Sequence, residues 1–387
     1  MNYIPYGRQD INEQDIQSVV NVLKSDFLTQ GPEVPNFEEL ISQNCNSKHA
    51  IVFNSATSAL HIACLSLGVT KGDYVWTSPI SFVASSNCAL YCGANIDFVD
   101  IDSQTYNLCP IELEKKLLIA KKENKLPKVL IPVHLAGQSC DMKKIFSLSK
   151  EYNFKIIEDA SHAIGGNYLK QPVGGCQYSD ITIFSFHPVK IITSAEGGAA
   201  TTNNLHLASQ MKLLRSHGVT RDSSVLKNQS HGPWYYEQID LGYNYRMTEL
   251  QAALGTSQLR RLNEFILKRT ELASYYNEEL SGLPLQIPLQ SSDTDSAWHL
   301  YIIRLDLSST KFTHKETFIK LTESNIGVNL HYMPIYKQPY YKNHFNFEDG
   351  YCPNAENYYK EAISIPMFSS ITKADAKRVC ETLRRIL

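Results

Sequence analysis

The sequence predicts an α/β protein, and three features support this fold class. Short runs rich in β-branched residues alternate with longer segments of helical periodicity through the first half of the 387-residue chain. Polar residues directly follow several of these runs, which is where ligands bind in open α/β sheets. Hydrophobic residues make up 43% and charged residues 20% of the chain, as in an ordinary globular protein. We therefore expect a sheet covered by helices on both faces, with the functional residues beyond the strand ends.

The predicted strands of the first half are short and separated by helices. Helices are predicted over Thr57–Leu67 and Met142–Tyr152. The predicted strands are Ala50–Phe53, Tyr74–Thr77, Ile96–Val99, Val129–Val133, Lys155–Glu158, Ile181–Phe184 and Gly198–Thr202. This alternation is typical of an α/β sheet.

The pattern changes near Thr248, which marks the predicted domain boundary. Thr248-Glu249-Leu250-Gln251 has capping-box spacing, and a long helix is predicted from there to about Tyr276. The stretch that follows mixes predicted strands with a predicted helix, at Leu300–Leu305, Gly327–Leu330 and Lys373–Leu387. We therefore expect a large domain with an N-terminal arm over residues 1–250, and a linking helix with a smaller α+β domain over residues 251–387.

The bulk properties argue against several classes of function. The formal net charge is only -2, so nothing indicates binding to nucleic acid or to an anionic membrane surface. The first residues lack the basic start and apolar run of a signal peptide, and no apolar stretch reaches the ~20 residues that span a bilayer. Of the nine cysteines, only Cys88 and Cys92 are close in sequence, and no second ligand pair accompanies them. We predict a cytoplasmic protein with free, mostly buried thiols and no metal site.

A lysine follows one of the buried strands in a segment suited to chemistry. Lys190 comes after Phe184-Ser185-Phe186-His187-Pro188-Val189, and Glu196-Gly197-Gly198 follows it. A lysine in such small and glycine-rich surroundings is positioned to point into a cleft. Because a lysine taken alone is usually a solvated surface charge, this interpretation depends on the segments described next.

Another strand runs into the carboxylates Glu158 and Asp159, and His162 follows. A carboxylate that keeps a pyridine nitrogen protonated turns the ring into an electron sink, which is the core of pyridoxal chemistry. Asp159 is the candidate for that partner, and the alternative is that it caps the following helix. His162 could stack on such a ring or be a core histidine with satisfied hydrogen bonds.

A third segment is suited to binding a phosphate group. After the strand that ends at Phe53, small and hydroxyl residues lead into a predicted helix. The free N–H groups and the dipole at a helix start favour an anion, so Ser55, Ala56 and Thr57 would bind phosphate largely through backbone amides. The alternative is ordinary N-capping.

In this order, the three segments resemble the fold-type I pyridoxal-phosphate enzymes, specifically the DegT-type nucleotide-sugar aminotransferases, over essentially the whole chain. Further matching segments are Leu28–Gly31, Pro79–Ser85, Val133–Gln138, Leu214–Gly218 and Leu241–Arg246. The resemblance implies an aspartate-aminotransferase-like fold, with a mostly parallel, mixed seven-stranded sheet in the large domain and a smaller C-terminal α+β domain. Two positions depart from the commonest family pattern: Ile191 stands where proline is frequent, and Ser194-Ala195 precedes Glu196. Neither change removes a chemical group.

The resemblance also implies roles for individual residues. Lys190 would carry pyridoxal 5′-phosphate as a Schiff base and act as general base and acid, and Asp159 would hold the ring nitrogen protonated. Phe82 and His162 would sandwich the pyridine ring, and Ser185 would donate a hydrogen bond to the phosphate. The position that is histidine in the family's dehydratase branch is Lys190 here, which favours amino transfer over dehydration.

One branch of the family is the most similar in four segments: Asn54–Leu60, Pro79–Asn87, Ser185–Thr193 and Gly327–Tyr336. That branch takes an amino group from L-glutamate to C4 of a UDP-linked 4-keto-6-deoxy-N-acetylhexosamine. The product is UDP-4-amino-4,6-dideoxy-N-acetyl-β-L-altrosamine, an intermediate of pseudaminic acid biosynthesis.

The same resemblance assigns further binding residues. Asn244 would reach the phosphate of the neighbouring subunit's cofactor, which implies a homodimer with shared sites. The sugar-nucleotide pocket would be lined by Tyr6, Thr29, His331, Ile335, Tyr336 and Lys337. The alternative for the C-terminal part of this set is a strand with aromatic packing.

Other functions remain open at this point. The sugar could instead be of the UDP-4-amino-arabinose, GDP-perosamine or 3-amino type. A nicotinamide dehydrogenase would need a Gly-x-Gly-x-x-Gly turn after an early strand, but Asn54–Thr57 contains no glycine. A non-catalytic protein that has kept the fold is disfavoured because the lysine, the aspartate and the phosphate-binding segment are all present.

Overall fold

The structure is a computed structural model that describes residues 2–387. Its α-helices are α1 (Glu13–Leu23), α2 (Glu33–Cys45), α3 (Ala56–Ser66), α4 (Ala84–Tyr91), α5 (Pro110–Glu123), α6 (Met142–Tyr152), α7 (Leu205–Arg215), α8 (Glu249–Arg260), α9 (Leu262–Glu279), α10 (His314–Glu323), α11 (Pro339–His344), α12 (Pro353–Glu361) and α13 (Lys373–Ile386). Short 3₁₀ turns form at Leu135–Gly137 and Ile335–Lys337.

The strands are β1 (His49–Phe53), β2 (Tyr74–Thr77), β3 (Asn95–Phe98), β4 (Val129–Ile131), β5 (Lys155–Asp159), β6 (Asn167–Tyr168), β7 (Gln171–Pro172), β8 (Ile181–Ser185), β9 (Gly198–Thr202), β10 (Val219–Thr220), β11 (Glu237–Gln238), β12 (Leu285–Gln286), β13 (Thr294–Asp295), β14 (Tyr301–Leu305) and β15 (Ala362–Ile365). Seven of these form the main sheet in the order β1-β9-β8-β5-β4-β2-β3. All neighbouring strands are parallel except β9, which runs antiparallel to both β1 and β8. The predicted mixed, mostly parallel sheet is confirmed, and its seven strands are the seven predicted ones.

Local sequence fixes where the helices around this sheet begin. Ser55 caps α3 and Asp141 caps α6, each through a side-chain oxygen that accepts an N–H of the first turn. Thr248 and Gln251 form the predicted capping box at the start of α8. The strands between these helices are almost wholly buried, as expected for a sheet covered on both faces.

A second, smaller sheet in the order β12-β14-β15 lies in the C-terminal part of the chain. Tyr276, Tyr301, Val379 and Leu383 are fully buried in the hydrophobic core beside it. The N-terminal arm joins the same core through Ile4, whose backbone pairs with Ile326 and Gly327. The division of the chain at residue 250 stays a prediction.

Two predicted elements differ in the structure. The single helix expected from Thr248 to Tyr276 is two helices, because the chain leaves helical geometry at Arg261, whose guanidinium binds Asp10 and Asp15. The strand expected at Gly327–Leu330 does not form; Asn329 alone makes an isolated bridge, to Ser364. Across residues 2–387, no helix is long and apolar enough to cross a membrane.

Candidate functional site

A cleft of about 780 Å³ opens beyond the carboxyl ends of β5 and β8, beside the start of α3. Parallel strands end on the same side of the sheet, so residues distant in sequence meet there. The cleft brings together most of the predicted site residues: Tyr6, Ser55, Ala56, Thr57, Phe82, Asp159, His162, Ser185, Lys190 and His331.

The start of α3 forms a cradle of free backbone donors. Ser55 accepts the N–H of Ser58 at 3.1 Å, whereas the N–H groups of Ala56 and Thr57 have no acceptor among residues 2–387. Gly198 at the start of β9 abuts this turn so closely that a Cβ atom there would lie 2.4 Å from the Ala56 nitrogen. The two free N–H groups at a helix start make the cradle suited to an anionic group such as phosphate.

Asp159 is buried at the end of β5, only 4% exposed. One carboxylate oxygen accepts the Ser85 hydroxyl at 2.6 Å, and the other accepts the Ser161 N–H at 3.1 Å. Ser81 in turn lies 2.6 Å from the Ser85 hydroxyl. This chain of hydrogen bonds holds the carboxylate in place in the cleft, where it can bind a positively charged partner.

Lys190 lies in a turn after β8, with its backbone N–H bonded to the carbonyl of His187 at 2.9 Å. Burial lowers the pKa of Lys190 to about 8, although the Asp159 carboxylate opposes this by favouring the ammonium form. A lysine with a pKa near 8 has far more free amine at neutral pH than an ordinary lysine, and a nucleophile or a general base requires the free amine.

His162 is held in one orientation at the edge of the cleft. The Ala136 N–H donates to Nδ1 at 3.3 Å, so the neutral ring carries its proton on Nε2, 3.3 Å from the hydroxyl of Tyr332. Burial lowers the pKa of His162 well below its ordinary value, and nearby Lys190 lowers it further. The aromatic side chain of Phe82 is 60% exposed, so a planar ligand can reach it.

Two residues predicted to bind the sugar nucleotide line the same cleft. The rings of Tyr6 and His331 lie 5.5 Å apart. His331 Nδ1 is 2.8 Å from the Ser364 hydroxyl, and burial lowers the pKa of this imidazole to about 3. His331 is therefore a neutral hydrogen-bonding group at physiological pH.

The remaining predicted residues do not line the cleft of this chain. Thr29 and Asn244 lie elsewhere on it. Ile335 and Tyr336 are core residues, at most 1% exposed, and Tyr336 donates to Glu356 at 2.8 Å. Lys337 pairs with Asp349 and Glu356 at 3.1 and 3.3 Å. The geometry thus favours packing for Ile335 and Tyr336, the alternative that the sequence left open. Their contact with a ligand, like that of Lys337, has no support in this chain.

Four residues in or beside the cleft were not assigned from sequence. Ser81 and Ser85 follow β2 and are four positions apart. This spacing places both hydroxyls on the same side of the chain, and it could have indicated a joint role. Tyr332 bonds His162 as described. His299 lies against the His162 ring with 4.4 Å between centroids, and its buried Nδ1 has no partner among residues 2–387. No short motif in the sequence points to His299.

Together these groups fit a phosphorylated aromatic cofactor with a basic ring nitrogen. The free N–H groups at Ala56 and Thr57 suit its phosphate, Asp159 suits a protonated ring nitrogen, and Lys190 supplies an amine for covalent attachment.

Comparison with known proteins agrees with this chemistry. The profile of the DegT/DnrJ/EryC1/StrS aminotransferase family matches residues 9–384. A UDP-4-amino-4,6-dideoxy-N-acetyl-beta-L-altrosamine transaminase of Campylobacter jejuni is 39% identical over 385 residues, 99% of this chain and 97% of that protein. The structure of Helicobacter pylori PseC, an aminotransferase involved in the biosynthesis of pseudoaminic acid, superposes with a TM-score of 0.89 at 32% identity, covering 100% of this chain and 99% of the other. The putative sugar aminotransferase Spr1654 of Streptococcus pneumoniae, in its pyridoxal-phosphate form, superposes with a TM-score of 0.89 at 28% identity, covering 99% and 98%.

Proposed function

Because the chain belongs to the DegT/DnrJ/EryC1/StrS aminotransferase family, we propose that it aminates C4 of a UDP-linked 4-keto-6-deoxy-N-acetylhexosamine. As a member of this family, the chain is a pyridoxal-phosphate-dependent nucleotide-sugar aminotransferase. The product would be UDP-4-amino-4,6-dideoxy-N-acetyl-β-L-altrosamine, with L-glutamate as the donor. The observation that carries the reaction type is the cleft in which Lys190, Asp159 and the start of α3 meet. The choice of sugar is supported by the 39% identity to the Campylobacter jejuni transaminase and the likeness to PseC.

When bound, pyridoxal phosphate supplies a carbonyl that accepts the amino group and a ring that withdraws electrons from the reacting carbon. Asp159 would keep a proton on the ring nitrogen, because a buried carboxylate, held in place by Ser85 and Ser161, favours a positive charge beside it. The free N–H groups of Ala56 and Thr57 would hold the phosphate, and the hydroxyl of Ser185, which lines the cleft at the end of β8, would donate to it.

Lys190 moves the proton that amino transfer requires. With its amine free, Nζ would act as the base that takes a proton from the substrate carbon bearing the amino group and as the acid that returns one. A pKa near 8 suits both directions, because at neutral pH the ammonium form prevails while a usable fraction of the lysine is free amine. Phe82 and His162 line the cleft and would border the space for the ring.

The rest of the site positions the sugar nucleotide. Tyr6 and His331 border the same cleft as Lys190 and offer a hydroxyl and a neutral imidazole to sugar or phosphate oxygens. Asn244 would complete the site of a second subunit in a homodimer. Its absence from the cleft of its own chain is compatible with that role.

Absorbance spectroscopy tests the reaction type. The purified protein with pyridoxal phosphate should show the visible band of the lysine-bound cofactor, and L-glutamate should convert it to the pyridoxamine form. Borohydride reduction should attach the cofactor to the tryptic peptide that contains Lys190, and Lys190→Ala should abolish this attachment. Lys170→Ala, which removes a lysine outside the cleft, is the matched control and should behave as wild type.

A panel of nucleotide keto-sugars tests the substrate. The pyridoxamine form is mixed with each keto-sugar, and return of the original band is followed over time. The proposal expects the UDP-linked 4-keto-6-deoxy-N-acetylhexosamine to react with the highest kcat/KM. A higher value with a 4-keto-arabinose, a GDP-linked 4-keto-6-deoxymannose or a 3-keto sugar would transfer the assignment to that sugar.

A further inference from the structure

Two buried residues behind the main sheet have no part in the proposed reaction, the carboxylate Glu158 and the imidazole His134. Glu158 precedes Asp159 on β5, and because side chains alternate along a strand it faces away from the cleft. One of its oxygens, Oε2, lies 2.7 Å from Nε2 of His134, which is wholly buried. A buried pair of this kind contributes little net stability once its desolvation is counted, so the contacts around it indicate what else it does.

Hydrogen bonds fix both members of the pair. The second carboxylate oxygen of Glu158 accepts the hydroxyl of Ser179 at 2.5 Å and that of Thr182 at 3.1 Å. The other ring nitrogen of His134, Nδ1, accepts the backbone N–H of Cys140 at 3.2 Å. Because Nδ1 is an acceptor, the ring carries its proton on Nε2 and donates it to Glu158.

The Cys140 N–H also limits His134 to one proton. Burial opposes a second proton on this ring, whereas the contacts with Cys140 and Glu158 favour one and raise the pKa of His134. That second proton would have to lie on Nδ1, directly against the Cys140 N–H, so the geometry favours the singly protonated ring. His134 therefore has one orientation and one tautomer, and both depend on an acceptor at Glu158.

His134 begins a turn that contacts two residues of the cleft. Its backbone N–H donates to the carbonyl of Asp159 at 3.0 Å. Two residues further on, the N–H of Ala136 donates to Nδ1 of His162 at 3.3 Å and so leaves the proton of that ring on Nε2. Ala136 has a φ of 59°, in the left-handed region that a residue with a side chain adopts when its surroundings impose it. The ring of His134 attaches the start of this turn to β5.

We propose that His134 and Glu158 are positioning residues of the aminotransferase site. The pair holds the turn Leu135–Gly137 at the place where the Ala136 N–H meets His162. The inference rests on the proposed function, because the orientation of His162 matters to the reaction only if the cofactor binds beside it. Without an acceptor at residue 158, the ring of His134 can rotate. The turn is then free to shift, and His162 loses its fixed orientation and tautomer.

Two variants of similar size separate the hydrogen bond from the packing. Glu158→Leu fills the space but accepts no hydrogen bond, whereas Glu158→Gln keeps an oxygen that can accept the Nε2–H of His134. In histidine-labelled, cofactor-free wild type, nitrogen NMR should show His162 with a bare Nδ1 and a protonated Nε2, and His162→Gln identifies this signal. We expect Glu158→Leu to lose the pattern and Glu158→Gln to keep it.

The holoenzyme gives a second readout that a loss of stability alone does not change. The visible circular dichroism of the bound cofactor, divided by its absorbance, reports how its ring is held. This ratio should fall at least ~2-fold in Glu158→Leu and stay near the wild-type value in Glu158→Gln. Asp15→Asn, which changes a wholly buried carboxylate outside the cleft, is the control for stability and should leave the ratio unchanged.

His134→Asn decides the matter if Glu158→Leu does not fold. Its amide oxygen can still accept the Cys140 N–H, but the shorter side chain cannot reach Glu158, so it should show the same losses. A folded Glu158→Leu or His134→Asn protein with the wild-type His162 pattern would overturn the proposal, as would equal losses in Glu158→Leu and Glu158→Gln. A wild type that binds no cofactor would contradict the proposed function instead, and the NMR of the cofactor-free protein would still test the pair.

Discussion

The phosphate cradle can be tested by adding one methyl group next to it, in Gly198→Ala. A Cβ atom at Gly198 would lie 2.4 Å from the Ala56 nitrogen and 2.6 Å from both the Ala56 Cα and the Ser55 carbonyl carbon. Ordinary contact begins at 3.4 Å, so the strand and the turn must separate by about 1 Å (3.4 minus 2.4). All three atoms belong to the backbone, so no side-chain rotation can relieve the overlap.

This displacement should weaken cofactor binding more than folding. Moving an N–H group by about 1 Å lengthens a hydrogen bond of ~2.9 Å to ~3.9 Å, which is beyond its working range. A hydrogen bond to a charged group contributes about 1.5–3 kcal/mol, so losing one of the two cradle bonds weakens pyridoxal-phosphate binding by about 10- to 100-fold.

The assay is a titration of the cofactor-free protein with pyridoxal phosphate, followed by fluorescence quenching. Ala199→Gly is the matched control, because it removes a methyl group from the next residue of β9 without approaching Ala56. It should lower the free energy of unfolding by about 1 kcal/mol and leave the dissociation constant near that of the wild type. A folded Gly198→Ala protein that binds the cofactor within about threefold of the wild type would refute the placement of the phosphate at the start of α3.

Three further predictions follow from the same geometry. Asp159→Asn should lower kcat at least ~100-fold in the half-reaction with glutamate while the cofactor stays bound, since an amide cannot hold the ring nitrogen protonated. The control Asp141→Asn, which changes a helix cap, should leave kcat unchanged. Equal rates for wild type and Asp159→Asn would contradict the assigned role. The rate at which cofactor-free protein captures pyridoxal phosphate should rise about tenfold per pH unit below pH 8 and level off above it, because only the free amine of Lys190 reacts. Asp159→Asn removes a charge that favours the ammonium form of Lys190, so the midpoint of this pH profile should shift to lower pH. Glu249→Gln should lower the free energy of unfolding by about 1–3 kcal/mol in urea denaturation, because the buried carboxylate accepts the N–H of Glu33 at 2.6 Å, whereas exposed Glu39→Gln should change it little.

The main sheet was predictable because burial and strand propensity agree along it. Each strand is a short apolar or β-branched run bounded by polar residues, and the observed ends differ from the predicted ones by at most two residues, at β4. The site was predictable for the same reason. Asp159 ends β5 and Lys190 lies in the turn after β8, and parallel strands bring their ends to one edge of a sheet.

What the sequence could not predict depends on contacts between distant residues. Ser85 is 74 residues from the Asp159 carboxylate that it fixes, and no local pattern links the two. The break at Arg261 has no glycine or proline to announce it, and its guanidinium binds Asp10 some 251 residues away. Tyr336 belongs to a run of aromatic residues whose spacing suits a pocket wall as well as a core, and only the fold shows that it is buried.

The burial of the three histidines near Lys190 explains how they can surround a site that depends on the negative charge of one aspartate. Burial lowers the pKa of His162 and His299 well below the ordinary value and that of His331 to about 3, so all three rings are neutral at physiological pH. A protonated histidine there would compete for the Asp159 carboxylate and raise the cost of a positive charge on the ring nitrogen of the cofactor. Neutral rings provide hydrogen bonds and flat surfaces without that competition. The carboxylate therefore remains available to the cofactor, and this condition depends on the burial of the three histidines as much as on Asp159 itself.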